Sequence, residues 1–426
     1  MDLELNYGKG QLAVHLPDEL RVTVIRKPPM PVLADPGAAV REALAHPVGT
    51  APLREEARGK RSACILICDI TRPVPNGLLL QPLVRDLLAA GVPASGITVL
   101  VATGLHRPNL ALELEELVGD PWVLETVRVE NHYARDDAAH VDLGPTPHGT
   151  PVKLDRRFVE AEVKIATGLV EPHFMAGWSG GRKVIAPGVA HKDTITTFHS
   201  ARFMGDPLAD NCVLAGNPLH REQLAIASKL GRTFSLNVVI DEDRRLSFVN
   251  FGELQESHLA SVEYARRYCL VPVRRRFHTV VTSAAGYPLD RTYYQTVKGM
   301  VSPLDILEPG GTLVVVSECS EGLGSAEYVD AQRRLLQLGM DGFQRDIDGK
   351  RFASVDEWQT QMQLKPMRKG TVQLHSGRLA EGDRGLTGVT SVASVEEAVL
   401  ASVRASGDLH VGVIPEGPYL VPVYQP

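Results

Sequence analysis

The feature that most constrains this chain is a repeated alternation of short β-branched runs with longer helical patterns. That order is met by a largely parallel sheet covered by helices. LRVTVI (20–25), ACILICDI (63–70), ITVLVATG (97–104), VRVENH (127–132), VKIATGLV (163–170) and LNVVI (236–240) read as strands, with helices over 37–46, 77–90 and 109–118. The turn Gly91-Val92-Pro93 closes the second of these helices. An amphipathic stretch from about 253 ends at Val271-Pro272 and Arg274-Arg275-Arg276, a triplet that reads as a solvated linker. The alternation then restarts: strands at 278–284, 311–318, 371–376 and 409–414, helices at 293–307, 326–339 and 394–405. At 426 residues the chain exceeds what one core sustains, about 250 to 300 residues. The expectation is an α/β protein of two domains, 1–270 and 271–426, each with a mostly parallel sheet flanked by helices.

Composition removes several alternatives. Hydrophobic residues are 44% and charged ones 23%, as in an ordinary globular protein, and no apolar run reaches the ~20 residues of a membrane span. The beginning MDLELNYGKG lacks a basic segment leading into an apolar one, so a cytoplasmic protein is expected. Five scattered cysteines argue against a disulfide framework, and Cys64 and Cys68, on one face of a strand with no second pair, read as packing residues. A net charge of −6 without a basic tract disfavours nucleic acid.

Three expected strands end in polar clusters, where open parallel sheets bind ligands. They are CDITRPVPN with Asp69 and Arg72, ATGLHRPN with His106, and TGLVEPHFMAGWSGGRK with His173, Ser179, Gly180, Gly181, Arg182 and Lys183, followed by His199. Each has a plain alternative. Asp69 and Arg72 suit a loop salt bridge, His106 a surface or capping group, and GWSGGRK a flexible turn. That glycine-rich stretch also suits a phosphate cradle, although it is neither a Walker A loop nor a dinucleotide fingerprint.

The order and joint presence of these clusters resembles the nickel-dependent lactate racemase family across nearly the whole chain. The resemblance implies a racemase or epimerase that inverts C2 of a small 2-hydroxy acid, with its active site in the interdomain cleft. It also implies a nickel-pincer nucleotide, a pyridinium mononucleotide with two sulfur arms, tethered to Lys183 within the Ser179–Lys183 loop, with Asp69 nearby and His199 as nickel ligand. Imidazole and soft sulfur suit square-planar nickel(II). His106 and His173 map onto the two acid/base histidines, one for each face of the substrate. Arg72 maps onto the carboxylate clamp. Gln295 and Lys298, three residues apart in RTYYQTVKGM, map onto donors to the substrate oxygen. Trp358 and Tyr294 map near the pocket. Cofactor-synthesis proteins are implied as partners. Two other classes remain open: a non-catalytic carrier of the nickel nucleotide, and a hydrolase with a metal held by His106, His173 and His199.

Overall fold

A strand buried on both faces reads as a continuous apolar run, and residues 63–67 are buried without a break. In the computed structural model, which describes residues 1–426, this run forms the strand Ala63–Cys68 at the centre of a six-stranded sheet. The sheet belongs to a compact unit made of Pro29–Phe198 and Val213–Arg267. Its strands lie in the order Leu246–Glu253, Phe234–Ile240, Val163–Leu169, Ala63–Cys68, Ile97–Ala102, Arg128–Asn131. All neighbours are parallel except the first pair, which is antiparallel. Chain order runs outward from Ala63–Cys68 through Ile97–Ala102 to Arg128–Asn131, then resumes on the other side at Val163–Leu169. The order therefore reverses between Ala63–Cys68 and Val163–Leu169, and ligands bind at the carboxyl ends beside such a reversal. Helices such as Asn76–Ala89, with Leu79, Leu80, Leu83, Val84 and Leu87 buried, cover the sheet and join one apolar core with it.

The second unit comprises Met1–Pro28, His199–Cys212 and Tyr268–Pro426. Its sheet is parallel throughout, in the order Thr390–Ser391, Thr371–His375, Leu307–Val316, Phe277–Ser283, His410–Ile414, Arg21–Val24. Helix starts are capped as the sequence dictates: Thr292, Ser325 and Ser394 each accept a backbone N–H of the following first turn. Gly407, in the left-handed region, closes the helix Val395–Ser406.

Three expectations change. The run at 20–25 forms Arg21–Val24, but on the edge of the second sheet beside His410–Ile414, not in the first. The first 28 residues and 199–212 group with the C-terminal unit, so the division is not a single cut near 270. Leu3, Leu5, Val14, Leu16 and Leu20 explain the first of these placements, since they are buried in the core with Val281, Val314 and Val413. Finally, the helix at 293–307 stops at Val301, and the strand at 311–318 begins earlier, at Leu307. The helical run from Ala326 breaks at Gly339 (φ 69°) and continues to Asp348. No helix is long and apolar enough to cross a membrane.

Candidate active site

The carboxyl ends of three adjacent strands of the first unit, Ile97–Ala102, Ala63–Cys68 and Val163–Leu169, carry the residues singled out in the sequence. Asp69 follows the central strand directly and is buried. Its Oδ2 lies 2.6 Å from Nδ1 of the half-exposed His106, and its Oδ1 accepts from the Thr71 hydroxyl at 2.6 Å. Burial alone would push the Asp69 carboxyl up. His106, with Thr71 and Arg72, reverses this and holds the group below the usual carboxylate range. Asp69 is thus an acceptor for the Nδ1 proton of His106. Arg72, three residues on, forms an ion pair with Glu171, at the end of the Val163–Leu169 strand. Asp69 and Arg72 thus each take a partner from a neighbouring strand end, His106 and Glu171.

Beyond Glu171 the chain makes a tight hairpin, Pro172–His173 against Gly177–Trp178, with His173 opposite Gly177. Within it the His173 Nδ1 accepts the backbone N–H of Met175 at 3.3 Å and of Ala176 at 3.2 Å. The hairpin leads into the lysine loop. Ser179 uses its hydroxyl internally, donating to Leu169 O at 2.7 Å and accepting Glu171 N–H at 3.0 Å. Gly180 (φ 76°) and Gly181 (φ 49°) occupy the left-handed region that a side chain resists. A Cβ on Gly168 would lie 2.8 Å from the Gly180 Cα, so the loop presses directly on the strand.

Arg182 is buried and turned inward. It donates to Trp178 O and Ala176 O, both at 3.0 Å, and lies 2.8 Å from His258 Nε2. Its contacts are those of a strut behind the loop, which differs from the expected place beside a phosphate. Burial pushes it down to about 9. Lys183 next to it is pushed down to about 7, first by burial and then by the Arg72 cation, with Arg182 adding to the effect. A large fraction of the amine is therefore neutral near pH 7 and able to act as a nucleophile.

The second unit gathers a separate group. Thr292 caps the helix Tyr293–Val301, which carries Tyr294, Gln295 and Lys298. Tyr294 is anchored from the helix Glu357–Lys369: the Trp358 indole donates to its hydroxyl at 3.2 Å, and the Gln359 amide donates to its backbone carbonyl. Burial holds the Tyr294 phenol well above its usual value, and Asp356 reinforces this. His199 follows the helix Lys192–Phe198 at once, and its ring lies 4.9 Å from that of Trp358. Gln295 Oε1 is buried with no hydrogen-bond partner, an acceptor with remaining capacity. Sequence reasoning missed Glu171, His258, Gln359 and Asn237, whose Oδ1 accepts the Gly181 backbone N–H at 3.0 Å. Of these only Glu171, in the stretch VEPHF beside His173, stood within a motif already singled out; the others act from elements remote in sequence.

Residues 7–211 match the lactate racemase N-terminal domain family and residues 274–421 the lactate racemase C-terminal domain family. A lactate racemase of Thermoanaerobacterium thermosaccharolyticum is 34% identical over 352 residues, covering 80% of this chain and 82% of that protein. One from Lactiplantibacillus plantarum is 34% identical over 289 residues, 68% of each. The structure of the lactate racemase apoprotein from T. thermosaccharolyticum superposes with a TM-score of 0.90 at 29% identity, covering 99% of this chain and all of that one. A Thermotoga maritima protein shares the fold, with a TM-score of 0.65 at 18% identity over 91% of this chain and 98% of that one.

Proposed function

The chain belongs to the lactate racemase family and is an isomerase, and from that premise we propose that it inverts C2 of a small 2-hydroxy acid with a nickel-pincer nucleotide tethered to Lys183. The observation that carries this reading is what gathers at the strand ends flanking the sheet's order reversal: an Asp69–His106 pair, an Arg72–Glu171 pair, and the lysine loop pressed against the Val163–Leu169 strand at Gly168. The Lys183 amine, pushed down to about 7, fits the tether, since a neutral lysine forms a covalent bond where a protonated one does not. His199 suits the nickel, being an imidazole packed against an aromatic ring. When bound, the cofactor supplies the acceptor and donor of the substrate's C2 hydride.

The protein residues supply the rest. Arg72 receives the substrate carboxylate, its guanidinium held by an ion pair with Glu171. His106, with Asp69 behind it, takes the hydroxyl proton, and His173 serves the opposite face. In the second unit Lys298 and Gln295 are the candidate donors to the substrate oxygen, and Tyr294 and Trp358, hydrogen-bonded to one another, are the candidate substrate-binding residues near them. Ser179, Gly180 and Gly181 shape the lysine loop, and Arg182 braces it. Loading depends on cofactor-synthesis proteins.

Two other classes fare less well. A non-catalytic carrier needs Lys183 and His199 but has no use for an Asp69–His106 pair. A zinc hydrolase needs three converging ligands, and no group of three or more His, Cys, Asp or Glu side chains is placed to hold a metal ion.

The test is to load the protein and screen enantiopure lactate, malate, 2-hydroxybutyrate, phenyllactate and aldonates by chiral chromatography, with occupancy checked by intact mass. Inversion of at least one substrate is expected. No inversion across the panel at full occupancy refutes the proposal. Lys183→Ala should abolish the covalent mass adduct.

A further inference from the structure

An imidazole with one nitrogen committed to a neighbour has its other nitrogen decided as well, because a neutral ring carries a single N–H. For His106 the neighbour of Nδ1 is a carboxylate oxygen at 2.6 Å, and a carboxylate only accepts. Nδ1 therefore bears the hydrogen, and in the neutral ring Nε2 carries the lone pair. For His173 the neighbours of Nδ1 are two backbone N–H groups, at 3.3 Å from Met175 and 3.2 Å from Ala176, and these only donate. Nδ1 therefore bears the lone pair, and the hydrogen is on Nε2.

We infer that the two histidines present opposite faces to the substrate: His106 a proton acceptor at Nε2, His173 a hydrogen-bond donor at Nε2. The inference rests on the reading above in assuming that both rings serve the substrate; the assignment of the hydrogens does not depend on it. In this state only His106 can take a substrate hydroxyl proton. The proton goes to its Nε2, and the resulting imidazolium is stabilised by Asp69.

For His173 to act as a base, it must release the Nε2 hydrogen to solvent and take one from solvent at Nδ1. The ring's charge is then unchanged, but Nδ1–H would face the Met175 and Ala176 N–H groups. Two donors cannot share that position, so those contacts must open. They lie inside the four-residue hairpin pairing of Pro172–His173 with Gly177–Trp178, directly before the lysine loop. The hairpin is thus the element that resets the enzyme between enantiomers, and Met175 and Ala176 are positioning residues that act through His173.

The deciding measurement is a two-bond 1H–15N correlation spectrum of histidine-labelled, cofactor-free protein at mildly alkaline pH, with signals assigned by His106→Gln and His173→Gln. His106 is expected to show a protonated Nδ1 and a pyridine-type Nε2, and His173 the reverse. The same tautomer in both rings, or a protonated Nδ1 on His173, overturns the inference. If either variant misfolds, neutron diffraction from deuterated wild-type crystals locates the same hydrogens without substitution. The two failures are separable: the hydrogens are found in protein that cannot turn over, whereas the racemase reading fails on the loaded enzyme's substrate panel.

Discussion

At the scale of single residues, Asp69 decides what His106 can do. Replacing it with asparagine keeps the size but lets an amide N–H face Nδ1, which moves the ring hydrogen to Nε2 and removes the base. Asp69→Asn is expected to lower kcat/KM by about 10³ to 10⁴-fold, the scale seen when a catalytic histidine is held in the wrong tautomer. The Lys183 mass adduct should persist. Retention of activity within tenfold would show that Asp69 does not set the tautomer. Lys183 makes a second prediction with a definite sign. Its folded value of about 7 lies below the ordinary 10.5, so between those limits the unfolded chain binds a proton that the folded chain does not. Stability should therefore rise with pH from about 7 to about 10.5, and be least favoured below 7. Lys183→Met removes the slope. In urea titrations the variant should exceed wild type by on the order of 2 kcal/mol at pH 7, discounted for the lysine's partial exposure, with the margin closing near pH 10. A constant margin across that range would mean the amine is not depressed. The residue types at the site were legible, because polar groups at strand ends stand out. Their partners were not: Asp69 and Arg72 are close in sequence, yet each pairs with a residue from another strand end, His106 and Glu171.

At the scale of elements, the strands of the first sheet were legible because each is a short β-branched run bounded by turns, as Ile97–Ala102 is by Gly96 and Gly104. What such a run does not encode is its neighbour, and Arg21–Val24 was assigned to the wrong sheet for that reason. The hairpin of His140–Pro145 with Pro151–Asp155 escaped notice too, since its irregular register spoils the alternation. It is held from a distance by Glu222, which accepts both the Thr146 and Thr150 hydroxyls. The seat of the lysine loop on its strand can be tested at Gly168. That glycine is not in the left-handed region, so alanine there adds no backbone strain; it adds a methyl 2.8 Å from Gly180 Cα and 3.1 Å from Val184 Cγ2. Overpacking of this kind costs about 1 to 3 kcal/mol. Because the contact falls on the loop backbone, Gly168→Ala should also displace Lys183 and slow formation of its covalent adduct at least tenfold. Unchanged adduct formation in a folded variant would mean that the loop is seated by other contacts.

At the scale of the molecule, the chain's order in sequence is not its order in space. A reader of the sequence sees a junction near 270, where a long amphipathic stretch gives way to Val271-Pro272 and three arginines, and the unit boundary at Arg267 and Tyr268 lies close to it. Yet the second unit also takes the first 28 residues, which contribute Leu3, Leu5, Val14, Leu16 and Leu20 to its core. Arg21–Val24 completes the edge of its sheet against His410–Ile414. A fragment of residues 268–426 would therefore expose the apolar surface those leucines cover and leave the His410–Ile414 strand as an unpaired edge, both of which favour aggregation. Joining residues 1–28 to it through a flexible linker after Pro426 restores the leucines and the strand. The expectation is that 268–426 alone gives a broad, weakly cooperative urea transition and self-associates, whereas the linked form unfolds in one sharp step as a monomer. If the shorter fragment unfolds as cooperatively and at the same midpoint, the N-terminal leucines are not part of that core in any energetic sense.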